Sequence, residues 1–232
     1  MTAATGATAV GSAGWASPEN ADGYAAFART CGWYRELAAD LVRRIDPRAL
    51  TRVVDLCAGT GVLTRELLPL VLPACRILAI DSSPAMLARA VRDTRDGRVD
   101  WQCARAEVCG RFGTGVMDAV LCSAALWETA VPIVLSGVRG LLRPAGRFVF
   151  NLGPAAVPCW PMYEKALLAT GFTVDNVESV TYQLTAGQAA RWLSLPIFGA
   201  AVRSSADDAS TREPSAVLRA PWLVVSASAG RL

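Results

Sequence analysis

Short apolar runs alternate with amphipathic stretches along most of the chain, and this alternation predicts a layered sheet-and-helix fold. The apolar runs predict strands near 52–56, 77–81, 99–103, 118–122, 147–152, 177–184 and 221–227. Apolar residues at helical spacing predict helices near 18–30, 33–45, 61–68, 84–94, 131–142, 161–169 and 186–195. Pro69 and Pro73 end the third helix early, and Gly171 stops the sixth. Thr185 with Gln188 makes a capping box that opens the last. Strand and helix in turn imply right-handed crossovers and a mainly parallel sheet. The segment 107–117, with Gly110, Gly113 and Gly115, is too rich in glycine for a firm helix and reads as a loop. Residues 203–220 read as a mobile polar loop, and 221–227 as a strand returning beside the sixth.

One turn carries chemistry. In Val53-Val54-Asp55-Leu56-Cys57-Ala58-Gly59-Thr60-Gly61-Val62-Leu63-Thr64, a short apolar strand ends at a carboxylate, passes through small residues and opens a helix. Without side chains at Gly59 and Gly61 the backbone can turn tightly and approach a ligand. Twenty residues after Gly61, Asp81 ends the next apolar run, where its carboxylate can accept from both hydroxyls of a ribose. A dinucleotide site would place a third glycine where Thr64 stands. The negative charge of Asp55 would repel a pyrophosphate and attract an ammonium group. A cationic ligand fits better.

These residues resemble the class I methyltransferases that use S-adenosylmethionine. Their first motif is an acid followed by x-G-x-G-x-G, matched by Asp55 through Gly61 with Cys57 in place of the first glycine. The resemblance implies that Asp55, Cys57, Ala58, Gly59 and Gly61 hold the methionine part of the cofactor. The second motif looks like Asp81-Ser82-Ser83-Pro84-Ala85-Met86, with Met86 under the adenine. Ser83 suits the helix cap and Pro84 the first helical position. At the third motif Arg105 stands where the family keeps an acid. An arginine cannot accept a hydrogen bond from the adenine amine, so backbone atoms of Arg105 and Ala106, or Glu107, would read it. Met117 through Ser123 looks like the fourth strand, which brings Cys122 and Ser123 to the cofactor, and Leu141 through Phe150 like the turn into the fifth. The resemblance spans roughly residues 33–184. It implies an α/β fold: a Rossmann-like, seven-stranded, mainly parallel sheet with an antiparallel last strand and helices on both faces.

Composition narrows the classes. With 232 residues and 53% hydrophobic content the chain can bury one substantial core but not a second catalytic domain. The expected organisation is a disordered tail at 1–15 and a single methyltransferase domain at 16–232, with an N-terminal helical cap and an insertion at about 185–220. A net charge of +3 is too mild for a polyanion surface, and Cys122-Ser123-Ala124-Ala125 replaces the Asn-Pro-Pro-Tyr type of signature of nucleic-acid amino methylation. No nucleic-acid partner is expected. The seven cysteines form no C-x-x-C pair and the chain has no histidine, so no metal site is expected. Reduced cysteines and the lack of a basic, apolar leader point to the cytoplasm, and the lack of a long apolar run to a protein that does not span a membrane. Oligomeric state is not encoded in any motif.

The function expected is methyl transfer from S-adenosylmethionine to an O, N or C acceptor on a small-molecule metabolite, a biosynthetic intermediate, achieved mainly by positioning. With no imidazole in the chain, Glu128, after the fourth strand, is the candidate base. Tyr24, Trp33, Trp127, Asn151 and Trp192 are candidates for the substrate pocket, with Trp127 able to face a sulfonium or stack on an aromatic acceptor. The N-terminal helices and Trp192 to Phe198 would cap it. Two rivals share the turn: a binding protein or cyclase that holds S-adenosylmethionine without transferring methyl, and a nicotinamide-dependent oxidoreductase.

Overall fold

The computed structural model describes residues 12–195 and 216–230. Its elements are α1 (Ser12–Trp15), α2 (Pro18–Thr30), α3 (Trp33–Arg43), β1 (Arg52–Leu56), α4 (Val62–Leu67), β2 (Arg76–Asp81), α5 (Pro84–Asp93), β3 (Val99–Cys103), β4 (Met117–Cys122), α6 (Val131–Leu141), β5 (Leu142–Leu152), α7 (Trp160–Ala169), β6 (Phe172–Thr185), α8 (Ala186–Leu193) and β7 (Val217–Ala229). One sheet holds all seven strands in the order β3-β2-β1-β4-β5-β7-β6. Strands β1 to β5 pair in parallel, and β7 runs antiparallel between β5 and β6. Strand order reverses between β1 and β4. In open α/β sheets that reversal opens a crevice at the carboxyl ends of the strands, which is where ligands bind.

The central strands are apolar throughout because both of their faces are covered. On one face Leu41 of α3 and Leu63 and Leu67 of α4 pack against Val53, Ile77, Leu121 and Val149. On the other, Leu135 and Val138 of α6 and Leu167 of α7 pack against Val54, Ile80, Val120 and Phe150. This two-sided burial makes the strand tips a rigid base for a site.

Three departures from the sequence pattern have physical causes. Residues 106–112 form a 3-10 helix where a loop was expected. Its glycine is used for contact: a Cβ at Gly110 would come within 3.3 Å of the Gly137 backbone, and one at Gly137 within 2.7 Å of Cys109 Sγ. Strand β7 begins at Val217, inside the segment expected to be a polar loop, because β6 extends to meet it with Thr185 opposite Val217. Pairing with a long neighbour supplies the ladder that the local pattern does not advertise. Residues 12–15, expected in a disordered tail, form α1, whose carbonyls accept from Asn20 Nδ2 at 2.7 Å and Ser83 Oγ at 2.5 Å. Most of the expected insertion, including Phe198, lies outside the described residues.

Candidate active site

The site begins where β1 runs out. After buried Leu56 the chain turns through three left-handed residues, Cys57 (φ 60°), Gly59 (φ 54°) and Gly61 (φ 78°). At Cys57 this conformation costs ~1–2 kcal/mol that a glycine would not incur. Ala58 N–H donates to the Ile80 carbonyl at 2.9 Å, which moors the turn to β2. Asp81, at the tip of β2, completes the mooring: Oδ2 accepts from Gly59 N at 2.8 Å and Oδ1 from Ser83 N at 2.8 Å. Ser83 in turn caps α5 by accepting from Met86 N at 3.1 Å. One carboxylate therefore organises both loops of the crevice and keeps acceptor capacity in reserve.

A cavity of about 400 Å³ opens at these strand ends. That is within the ~300–1,000 Å³ of small-molecule sites. Cys57, Gly59, Asp81, Ser82, Met86, Arg105, Ala106 and Ser123 stand on its wall, together with Tyr24 and Glu128. A Cβ built at Gly59 meets nothing within 4 Å, so this glycine faces open space. Trp15, Ala124, Ala125 and Thr129 also line the cavity and were not read from the sequence. Trp15 lay in a stretch of Ala, Gly and Ser, and Ala124 shows itself only in its left-handed φ of 56°.

Several expected contacts are arranged differently. Asp55 is buried beneath the turn and is absent from the cavity wall; its Oδ2 accepts from Thr64 Oγ1 at 2.6 Å, so it braces α4 against β1. Gly61 is also off the wall: a Cβ there would lie 2.8 Å from the Trp101 ring and 3.4 Å from Ala90, so its glycine serves packing. Ala58 and Cys122 are buried behind the wall. Trp33, Trp127 and Asn151 lie behind it in or beside an aromatic cluster, and Trp192 joins that cluster by donating from Nε1 to Tyr34 Oη at 2.8 Å. Asn151 Oδ1 accepts from Ala124 N at 2.6 Å and holds the tip of β4.

The electrostatics follow from burial. Burial lifts the Asp55 carboxyl to about 7 despite the Thr64 hydrogen bond, with Asp81 adding like-charge repulsion. Burial also raises Asp81, against the two backbone N–H groups that favour its charge. Tyr24 is pushed well above its ordinary 10 by burial and by its bonded neighbour Tyr34, so its hydroxyl keeps its proton at neutral pH. The Cys57 thiol is pushed up by the adjacent Cys122 thiol and by burial, and it stays protonated. At Glu107 burial is outweighed by the Ala130 N–H and by Arg105, so its carboxyl lies below the usual range. Among the ionisable carboxylates and cations on the wall, Asp81, Glu107 and Glu128 outnumber Arg105. Such a cavity favours a cationic ligand and opposes a pyrophosphate.

Residues 53–146 match the family model described as a methyltransferase domain, the span that runs from β1 to the start of β5. Over that span the chain is similar to methyltransferase domains. Among curated proteins it is 32% identical over 132 residues to an uncharacterized methyltransferase of Schizosaccharomyces pombe, covering 55% of this chain and 49% of that protein. It is 33% identical over 129 residues to the malonyl-[acyl-carrier protein] O-methyltransferase of Halorhodospira halophila, covering 52% of this chain and 42% of that protein. The chain thus spans about half the length of the curated relatives it matches. Its fold is similar to that of geranyl diphosphate methyltransferase in complex with S-adenosylmethionine, with a TM-score of 0.58 and 14% identity over 84% of this chain and 83% of that one.

The cavity wall fits S-adenosylmethionine, the cofactor that the matched methyltransferase domain implies. The open space before Gly59, the spare lone pairs of Asp81 and the acidic balance of the cavity suit a ribose bearing a sulfonium and an ammonium. Arg105 pairs with Glu107 at 3.2 Å, and both line the cavity beside Ala106. Among the described residues no helix is long and apolar enough to cross a membrane, and no cluster of three metal-ligating side chains occurs. All seven cysteines are free.

Proposed function

We propose that the chain methylates an oxygen, nitrogen or carbon acceptor on a small-molecule metabolite, a biosynthetic intermediate. The observation that carries the reading is Asp81, which grips Gly59 and Ser83 and still faces a cavity whose charge balance is acidic. When bound, S-adenosylmethionine supplies an electrophilic methyl group on a positively charged sulfur. Asp81 would hold the ribose, Gly59 and Cys57 the methionine end, and Met86 the underside of the adenine. The backbone at Ala106 and Glu107 would read the adenine amine. The acceptor would approach from the side of Tyr24, Ser123 and Glu128.

Most of the rate would come from alignment, since well-oriented groups reach effective molarities of ~10⁵–10⁸ M. Glu128 would take the acceptor's proton, because Tyr24 holds its own and the chain has no histidine. A positioned base adds ~10²–10⁴-fold. The O-methyltransferase relative supports an oxygen acceptor.

The test is incubation with labelled S-adenosylmethionine and a panel of hydroxylated and carboxylic metabolites, with S-adenosylhomocysteine formation as the readout. Product from wild type and a drop of at least ~10²-fold in Glu128→Gln are expected. Cofactor binding with no turnover on any acceptor would favour the non-methylating alternative, and full activity in Glu128→Gln would remove the base.

A further inference from the structure

Among the described residues, six buried side-chain polar atoms have no hydrogen-bond partner, and three of them belong to Trp222 and two of its neighbours: Asn151 Nδ2, Trp33 Nε1 and Trp222 Nε1. All three are donors. Interiors leave few donors unmet, so three together call for an explanation.

Their positions are coupled by the sheet. The β5–β7 register sets Asn151 opposite Val224 and Leu152 opposite Leu223, so Asn151 and Trp222 are diagonal neighbours on one face. Trp33 meets Trp222 edge to face with ring centroids 5.6 Å apart. Trp127 lies against Trp222 at 5.7 Å and is only partly buried. The tips of Trp127 and Trp222 close over Gly153, where a Cβ would come within 3.4 and 3.3 Å of them. The orientation of the Asn151 amide is fixed, because its oxygen accepts from Ala124 N at 2.6 Å and only its N–H₂ end is left. Ala124 is itself a wall residue of the cofactor cavity. One hydrogen bond links Asn151 to that wall.

We propose that this cluster is an acceptor subsite, reached from the cavity by a swing of Trp127, and that it anchors the acceptor through an anionic oxygen other than the atom methylated, on a flat apolar body: a carboxylate or an ionised aromatic hydroxyl. The inference rests on the methyl-transfer reading. A carboxylate offers about four lone-pair positions and an ionised hydroxyl three, enough for three donors, whereas a neutral carbonyl offers two. An ammonium group would find no acceptor among them. Indole faces supply the apolar walls that an aromatic acceptor needs.

The experiment is calorimetric titration of 2-naphthoate, 2-naphthamide and 2-naphthylmethylammonium into protein saturated with S-adenosylhomocysteine. Wild type should bind naphthoate at least about tenfold more tightly than the ammonium probe, with the amide between. Asn151→Asp keeps an oxygen for Ala124 N–H and replaces the free donor with a carboxylate, so its preference should reverse. Trp222→Phe removes one N–H and should weaken naphthoate about 5- to 20-fold while leaving S-adenosylhomocysteine affinity unchanged. Equal affinity for the charged probes, or failure to bind naphthoate while S-adenosylhomocysteine still binds, overturns the subsite alone. Failure to bind S-adenosylhomocysteine at all overturns the methyl-transfer reading beneath it.

Discussion

Replacing Asp55 by Asn should make the protein more stable at pH 8 and leave it unchanged at pH 4. Asp55 is buried, its main partner is the neutral Thr64 hydroxyl, and its carboxyl lies at about 7 against an ordinary 3.8. Because the folded value is the higher one, the unfolded chain ionises first as pH rises. The penalty is absent below about 4, grows through the interval and is complete above about 7. At ~1.4 kcal/mol per pH unit, the interval corresponds to a ceiling of ~4 kcal/mol. Asn can still accept from Thr64 through Oδ1, so the variant should recover much of that ceiling. For a chain of this size ~1 kcal/mol moves Tm by ~2–4 °C, which makes the expected gain at pH 8 several degrees. The assay is urea or thermal unfolding of both proteins from pH 4 to 9, read as the difference between them so that other carboxyls cancel. Parallel curves across the whole range would refute the reasoning, since Asp55 would then carry no burial penalty.

Gly61→Ala should cost ~1–3 kcal/mol, from the left-handed backbone and the 2.8 Å approach to Trp101, whereas Gly59→Ala should cost ~1 kcal/mol of fold stability and instead weaken S-adenosylhomocysteine. Chemical denaturation with calorimetry separates the two effects, and equal effects of both on ligand affinity would contradict the placement. Asp118, at the end of the sheet away from the cavity, accepts from Thr51 N at 2.5 Å and Arg52 N at 2.9 Å. Asp118→Ala should cost ~2–4 kcal/mol with no change in cofactor affinity. Burial at Asp118 is outweighed by these hydrogen bonds and by Arg143, so its carboxyl is lowered and its contribution should fade as pH falls below about 4.

The strands and helices from α2 to α7 were legible because each obeys its own period: Arg52–Leu56, Val99–Cys103 and Pro18–Thr30 match the pattern residue for residue. Thr185 and Gln188 form the capping box that their spacing announces. Asp81 was legible because a strand end followed by a capped helix leaves one place for its carboxylate. Asp55 and Gly61 were assigned to the ligand because a motif read along the chain does not say which side of a turn each residue faces. Thr64 and Trp101 decide that, and they are packing partners from outside the motif. Trp15 was missed because one tryptophan in a small-residue stretch has no period. Its place depends on Ser83, 68 residues away.

The central claim is that Asp81 joins the two loops to the cofactor. Its most direct test is calorimetric titration of S-adenosylhomocysteine into wild type and Asp81→Ala, with folding of both checked by circular dichroism. One saturable site in wild type and an affinity loss of at least ~10- to 100-fold in the variant are predicted, since a hydrogen bond to a charged group is worth ~1.5–3 kcal/mol. Equal binding by the two folded proteins, or binding of a nicotinamide dinucleotide in place of S-adenosylhomocysteine, would contradict it.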